Sequence, residues 1–208
     1  MALAIAAVAV APAATPDVSH LVLQPAQVGK GYVSLAQMGG NAVKGQVTLN
    51  LCGTGYPSEQ LRTTRLQLNY ANRGAPVAIS NEVVTYRADG AAQAMREVVR
   101  RVASCPHHPI ETGAKGSPKL TFTLTRISDP RLLKGYVALR VDVTGTLNGK
   151  HVATTSFAIY QRRGNVLSGI YSFGGTSAAQ RTLALHTAEA SARNLRQGSN
   201  GVTSAPTA

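Results

Sequence analysis

The sequence predicts an α+β domain: an antiparallel sheet of about six strands with helices packed on it, one long C-terminal helix and one disulfide. Alternation of apolar and polar residues, typical of half-buried strands, recurs along the chain. Two segments carry apolar residues at helical spacing, and the last strands are joined by short turns, which make neighbouring strands antiparallel. This order fits a sheet with its helices on one face.

The first half of the predicted domain contains three strands. They cover residues 46–51, 61–70 and 79–87. Before them, residues 21–31 are interrupted by Pro and Gly and form a lead-in segment, and residues 39–43 form a loop. In the second strand Arg65 occupies a polar position of the alternation, so its side chain is predicted on the solvent face, opposite the apolar face that includes Tyr70.

Two helices are predicted, over residues 91–104 and 177–196. Asp89 is placed to cap the start of the first helix, and Glu97 is placed to pair with Arg101 one turn later. The buried stripes are predicted to be Ala92, Met95, Val99 and Val102 in the first helix, and Leu185, Ala188, Ala192 and Leu195 in the second.

Four consecutive strands are predicted between the two helices. They cover residues 120–127, 136–146, 151–161 and 166–173. Asn148-Gly149 is a strong signal for a two-residue hairpin turn, and Gly164-Asn165 marks the next turn. The four strands are therefore expected to form an antiparallel meander.

The amino-terminal segment indicates export. The apolar run Ala2–Ala11 is too short to span a bilayer, which takes about 20 apolar residues, and it suits the core of a secretory signal followed by the cleavage pattern Ala11-Pro12-Ala13. No Lys or Arg precedes the run, and the alternative is an Ala-rich disordered tail. The expected organisation is therefore a signal peptide or its remnant (residues 1–14), one domain (residues 15–196) and a disordered tail (residues 197–208), without a transmembrane segment.

The net charge is strongly positive, with 21 Lys and Arg residues against nine Asp and Glu residues, a formal charge of +12. The cations are scattered, and the longest blocks are the pairs Arg100-Arg101 and Arg162-Arg163. The chain contains no nucleic-acid-binding motif. A solvated basic surface facing an anionic cell envelope is therefore expected instead of a nucleic-acid partner, with weak, salt-dependent binding to anionic polymers.

The two cysteines, Cys52 and Cys105, are expected to form a disulfide, because cysteines present in an even number in an exported domain are normally paired. Such a bridge would join the first helix to the end of an early strand. The competing hypothesis is a nucleophilic Cys105 acting with the adjacent His107 and His108.

Other chemistry is sparse in the sequence. His107 and His108 supply two metal ligands where a site needs three or four. The carboxylates are dispersed, and the chain contains no nucleophile elbow, no phosphate-binding loop and no dinucleotide-binding glycine motif. No catalytic residue, metal or cofactor is predicted, and the chain is not expected to be an enzyme.

Several short motifs carry a resemblance to a known family. They are Asn50-Leu51-Cys52-Gly53, Tyr56-Pro57-Ser58-Glu59, Ser80-Asn81-Glu82-Val83-Val84, the helix end Arg101–Pro106 and the turn Arg163-Gly164-Asn165-Val166. The pattern resembles actinobacterial exported sensor domain-containing proteins, which are related to the extracellular sensor domain of PknH-like serine/threonine kinases and to small cell-wall lipoproteins. The resemblance covers residues 21–196 and implies a non-enzymatic binding domain with a disulfide, a sheet and flanking helices. This chain departs from the family in having one bridge where the kinase domains have two, no kinase, and no lipid-anchor cysteine.

Two classes of function follow from the sequence. The first is an exported, non-catalytic ligand-binding or sensor-like domain of the cell envelope, whose site lies where the sheet, the first helix and the Cys52 loop converge. The candidate residues for an anionic or sugar head group are Tyr56, Arg62, Tyr86 and Arg87. A lipid or glycolipid carrier is a variant that needs an apolar cavity. The second class is an exported hydrolase with an unrecognised active site.

Overall fold

A computed structural model describes residues 17–53, 55–111 and 118–198. The predicted signal segment and the predicted tail beyond Gly198 lie outside these residues. In the described chain the elements are α1 (Pro25–Val28), β1 (Val33–Ala36), a 3₁₀ helix (Pro57–Leu61), β2 (Arg62–Ala71), β3 (Ala78–Tyr86), α2 (Gly90–Ala103), β4 (Ile110–Glu111), β5 (Lys119–Ile127), β6 (Val137–Leu147), β7 (Lys150–Arg163), β8 (Val166–Phe173) and α3 (Ser177–Gly198).

The described strands form one eight-stranded sheet, in the order β1-β2-β3-β8-β7-β6-β5-β4. Every neighbouring pair is antiparallel. The predicted α+β class and the meander from β5 to β8 are therefore confirmed. At the β6–β7 turn Asn148 and Gly149 have φ values of 50° and 75°, the left-handed conformations that a two-residue hairpin turn requires.

Helices cover both faces of the sheet, so the prediction of a single covered face was wrong. On β7, Ala158 and Tyr160 pack in the cluster that includes α2, whereas Phe157 and Ile159 pack in the cluster that includes α3. Successive residues of a strand point to opposite faces, so the continuous apolar run in β7 is buried from both sides.

The amino-terminal segment packs beside α3. Leu21 and Val22 join Leu195 in a buried cluster on this side of the sheet. The Asn194 side chain donates hydrogen bonds to the carbonyl oxygens of Leu21 at 3.4 Å and Val22 at 3.2 Å. The first and last described parts of the chain therefore meet at one corner of the domain.

Three strand predictions differ from the structure. β1 and β4 are short edge strands that were not predicted, and residues 46–51 lack strand structure. The backbone N–H groups of Thr48 and Leu49 donate instead to the Glu59 carboxylate, at 3.0 and 3.2 Å. This side-chain acceptor takes the place of a neighbouring strand, so the segment lies over the sheet as an irregular loop.

The two long helices differ in how well their buried stripes were predicted. In α3 the predicted stripe of Leu185, Ala188, Ala192 and Leu195 is buried as expected. In α2 the buried side is rotated by about one residue, because Val98 is buried and Val99 is 41% exposed. Asp89 lies at the start of α2, but its side chain makes no capping hydrogen bond. None of the described helices is long and apolar enough to cross a membrane.

Candidate functional site

Cys52 and Cys105 form the predicted disulfide, with their Cα atoms 5.4 Å apart. Cys105 lies two residues beyond the end of α2, and Cys52 lies in the loop over the sheet, where its φ of 55° is left-handed. Neither cysteine is free, which excludes a nucleophilic Cys105 acting with His107 and His108. Both histidines are exposed. The bridge fixes the loop at residues 50–53, hereafter the disulfide loop.

A pocket of about 200 Å³ lies between the disulfide loop and the sheet. Asn50, Leu51 and Gly53 contribute its roof. The floor comes from four strands, β5 to β8, and includes Phe122, Val141, Val143, Ser156, Ala158, Tyr160, Tyr171 and Phe173. The pocket walls are mainly apolar, and none of the described residues that line it is charged.

Two tyrosines provide polar atoms beside this pocket. The rings of Tyr160 and Tyr171 meet edge to face, with centroids 5.8 Å apart. Burial raises the pKa of both phenols above the ordinary value of 10, so both hydroxyls are neutral. The Tyr171 hydroxyl lies 3.4 Å from the carbonyl oxygen of Thr48 and donates to it. Gly169 of β8 lies opposite Tyr160 of β7. A Cβ atom added to Gly169 would lie 2.7 Å from the Tyr171 hydroxyl oxygen.

Sequence reasoning did not select these pocket residues. The sequence pattern assigns Tyr160 and Tyr171 only to strands, yet both lie on the last hairpin, with a glycine opposite Tyr160. A glycine inside a strand often marks close approach of another group. That signal was available in Gly169, whose missing side chain leaves room for the Tyr171 ring.

Arg62, one of the predicted ligand residues, points into the protein interior. Its side chain is 6% exposed and forms an ion pair with Glu59 at 3.2 Å. The guanidinium also donates to Thr48 Oγ1 at 3.0 Å, to the carbonyl oxygen of Val43 at 3.3 Å and to that of Gln46 at 2.6 Å. Arg62, at the start of β2, therefore holds residues 43–48 of the irregular loop in place.

The other three predicted ligand residues occupy different surroundings. Tyr56 is buried, and its hydroxyl donates to the carbonyl oxygen of Leu51 at 2.9 Å. Tyr86 is buried opposite Arg62 in the β2–β3 register, and its hydroxyl has no hydrogen-bond partner among the described residues. Desolvation raises the pKa of both tyrosines. Arg87 is exposed. None of the four lines the pocket under the disulfide loop, and their role in ligand binding stays a prediction.

Buried charges lie on the side of the sheet that α2 covers, the same side as the pocket under the disulfide loop. Arg65 and Glu82 form an ion pair in which each side chain is 2% exposed, and Thr48 Oγ1 donates to Glu82 at 2.8 Å. Glu97 on α2 accepts from the backbone N–H of Ser58 at 3.2 Å and from its hydroxyl at 2.5 Å. These carboxylates hold the loop and the 3₁₀ helix against the sheet. Within the described ranges, no three or more His, Cys, Asp or Glu residues are grouped to hold a metal ion.

Comparisons with known proteins identify the fold. No protein-family model matches the sequence, and no curated protein matches it. The crystal structure of the extracellular domain of PknH from Mycobacterium tuberculosis matches with a TM-score of 0.50 and 13% sequence identity. The match covers 84% of this chain and 94% of that one. The chain therefore has a PknH-like α+β fold.

Proposed function

We propose that this chain is an exported, non-catalytic, sensor-like domain of the cell envelope that binds a small ligand under the disulfide loop. The observation that carries the proposal is the pocket of about 200 Å³ between that loop and the sheet. The disulfide suits an oxidising compartment outside the cytoplasm. The likeness to an extracellular domain agrees with the same compartment.

The pocket lining favours a small neutral ligand. Its walls are mainly apolar, and its polar groups include the Asn50 amide and the neutral hydroxyls of Tyr160 and Tyr171. Apolar walls with a few fixed polar groups are typical of ligand sites. A single aromatic ring or one face of a sugar fits this chemistry. Pockets for drug-sized ligands measure roughly 300–1,000 Å³, so the smaller volume of this pocket disfavours a carrier that encloses a complete lipid.

The proposal of a non-catalytic domain is supported by how the reactive side chains are used. The cysteines are joined to each other. Arg65 neutralises Glu82, and Glu97 accepts hydrogen bonds from Ser58. These groups have structural partners, whereas a hydrolase needs a positioned nucleophile or a pair of available carboxylates.

A pair of phenylalanine variants tests the site. Ser156→Phe places a ring inside the pocket, whereas Thr144→Phe adds the same ring to an exposed position on β6 that faces away from Val141 and Val143, outside the lining. We expect phenol and phenyl β-glucoside to perturb the NMR signals of residues 50–53 and of β7 in the wild-type chain. Thr144→Phe should keep this response, and Ser156→Phe should lose it. Equal responses in the two variants would contradict the proposed site.

The same proteins test the hydrolase alternative. We expect no sustained hydrolysis of p-nitrophenyl esters, phosphates or glycosides by the wild-type chain. Turnover that survives purification and disappears in a single-residue variant would contradict the non-catalytic proposal. Mass spectrometry of small molecules released from the purified chain then identifies the natural ligand class.

A further inference from the structure

We propose that a second site, a basic groove beside α2, docks the chain onto the anionic head groups of a phospholipid membrane. The groove has a volume of about 540 Å³, and Glu97 of α2, which accepts hydrogen bonds from the buried Ser58, is not among its lining residues. It does not share lining residues with the pocket under the disulfide loop. The inference is therefore independent of the proposed ligand pocket.

Four cations line this groove: Arg96, Arg100, Lys134 and Arg162. All four side chains are exposed. Arg96 and Arg100 are one turn apart on α2, Lys134 lies in the β5–β6 connection, and Arg162 lies near the end of β7. Cations that are scattered in the sequence are thus brought together around one concave surface by the fold.

Among the residues that the structure describes, no carboxylate lines the groove. Glu97, the acidic residue of α2, is buried and hydrogen-bonded to Ser58. Some of the other carboxylates are paired with arginines elsewhere, whereas Asp89 is exposed at the start of α2 and is not among the lining residues. These pairs are Asp129 and Glu189 with Arg131, and Asp142 with Arg140. The positive charge of the groove is therefore not neutralised by an acidic side chain in its lining.

The floor of the groove is apolar, and this favours a ligand that has apolar as well as anionic groups. It is formed by Ala92, Met95 and Val99, and Val99 is 41% exposed. A lipid surface offers both phosphate groups for the cations and glycerol and acyl carbons for this floor. A phosphorylated polysaccharide would leave the apolar floor uncovered. The lining also contains no aromatic side chain on which a nucleic-acid base would stack.

Vesicle binding by charge variants tests the proposal. The probes are vesicles of equal parts phosphatidylglycerol and phosphatidylcholine, with pure phosphatidylcholine vesicles for comparison. Each cation near an anionic surface strengthens binding about fivefold, so Arg96→Gln/Arg100→Gln should weaken binding to the anionic vesicles about 25-fold. The control Arg73→Gln/Lys150→Gln removes the same charge from exposed positions outside the groove and should change binding much less. Val99→Ser should also weaken binding several-fold, because it removes the exposed apolar contact without changing charge.

Three outcomes would overturn the inference. The first is equal binding by the groove variant and the control variant, which would indicate attraction to net charge alone. The second is complete displacement of the chain from vesicles by inorganic phosphate at constant ionic strength, which would indicate a site for a soluble anion. The third is groove-dependent binding to duplex DNA without binding to anionic vesicles. All variants change exposed residues, and circular dichroism checks that each is folded.

Discussion

Arg65 is the residue that most directly joins the loop at residues 37–51 to the sheet. Its guanidinium pairs with Glu82 and also donates to the carbonyl oxygens of Gly39 at 3.0 Å and Gly40 at 3.2 Å. Glu82 in turn accepts from Thr48. A charge in the interior is tolerated only when such partners replace water. These contacts therefore hold Gly39, Gly40 and Thr48 of this loop against the sheet.

Removing this guanidinium is expected to destabilise the protein strongly. Arg65→Met leaves the Glu82 carboxylate buried without its cation, which costs about 3–5 kcal/mol in the free energy of unfolding. Denaturant unfolding measures the loss. In Arg65→Met/Glu82→Gln no unpaired charge remains, so a substantial part of the stability should return. Arg73→Met, at an exposed turn position, is the control and should change stability by less than about 0.5 kcal/mol. A double variant less stable than Arg65→Met would contradict this explanation.

The sequence pattern predicted the alternation around Arg65 but not its burial. Alternation assigns a residue to a face of a strand, and it does not say what covers that face. Here residues 37–51 cover it, and their irregular structure has no periodic signal. The same limitation applies to the site. The Cys52–Cys105 bridge was predictable from the even number of cysteines in a domain expected to be exported. The pocket lining depends instead on how four strands lie under one loop, which no sequence pattern shows.

At the scale of elements, an ionic clamp joins the β5–β6 connection to α3. The Asp129 carboxylate accepts from Arg131 Nη2 at 2.6 Å, and Arg131 Nη1 contacts the Glu189 carboxylate of α3 at 3.1 Å. Glu189 also pairs with Arg193 at 3.0 Å. The backbone N–H of Asp129 donates to the Tyr136 hydroxyl at 2.7 Å, so this connection is tied down at both of its ends.

The clamp predicts a pH dependence. Hydrogen bonds from the Arg131 side chain lower the pKa of Asp129 from 3.8 to about 2. A carboxyl group with a lowered pKa stabilises the folded state above its unfolded pKa, and this contribution disappears as the pH falls through its folded pKa. Asp129→Asn should therefore cost about 1 kcal/mol near neutral pH. The difference from wild type should shrink between about pH 4 and pH 2.

Thermal unfolding over this pH range measures the effect. Asp89→Asn is a suitable control, because Asp89 is exposed and its side chain makes no capping bond in α2. A stability difference between wild type and Asp129→Asn that stays constant down to about pH 2 would contradict the assignment to Asp129.

The elements that sequence predicted well have strong local signals. β8 begins and ends at the predicted residues 166 and 173, because a turn precedes it and Gly174 and Gly175 follow it at positive φ. α3 continues two residues beyond its predicted end at residue 196. The strands that were missed are β1 and β4, with four and two residues. These two strands exist because they pair with β2 and β5. A stretch of two to four residues is too short to show the alternation of apolar and polar residues that predicts a strand.

At the scale of the whole molecule, the disulfide closes a covalent ring between residues 52 and 105 that contains β2, β3 and α2. The bridge reduces the conformational entropy of the unfolded chain. For a separation of 53 residues this contributes about 4 kcal/mol to the free energy of unfolding. In denaturant unfolding, the free energy of unfolding of Cys52→Ala/Cys105→Ala should be lower than that of the wild type by about this amount. The reduced wild-type protein should show the same loss of stability. Thiol titration of the denatured, unreduced wild type should find no free thiol. Two titratable thiols, or an unchanged unfolding midpoint in the variant, would contradict this prediction.

The charge distribution also becomes clear only at this scale. In the sequence the basic residues are dispersed, and this dispersion predicts weak, salt-dependent binding to anionic polymers. The fold places Arg96 and Arg162, which are far apart in the chain, around the same groove, while Glu97 faces the interior. Linear spacing of charges therefore underestimated their concentration on one surface.

The corner where Asn194 contacts Leu21 and Val22 determines how the domain can be connected. Because the two ends of the described chain leave the domain side by side, a linker of a few residues would join residue 198 to residue 17 without crossing the sheet. New termini could then be opened at the exposed Asn148-Gly149 turn, far from the corner in sequence. The same closeness means that the domain could be inserted into a surface loop of another protein, because both of its ends can join that loop at one place.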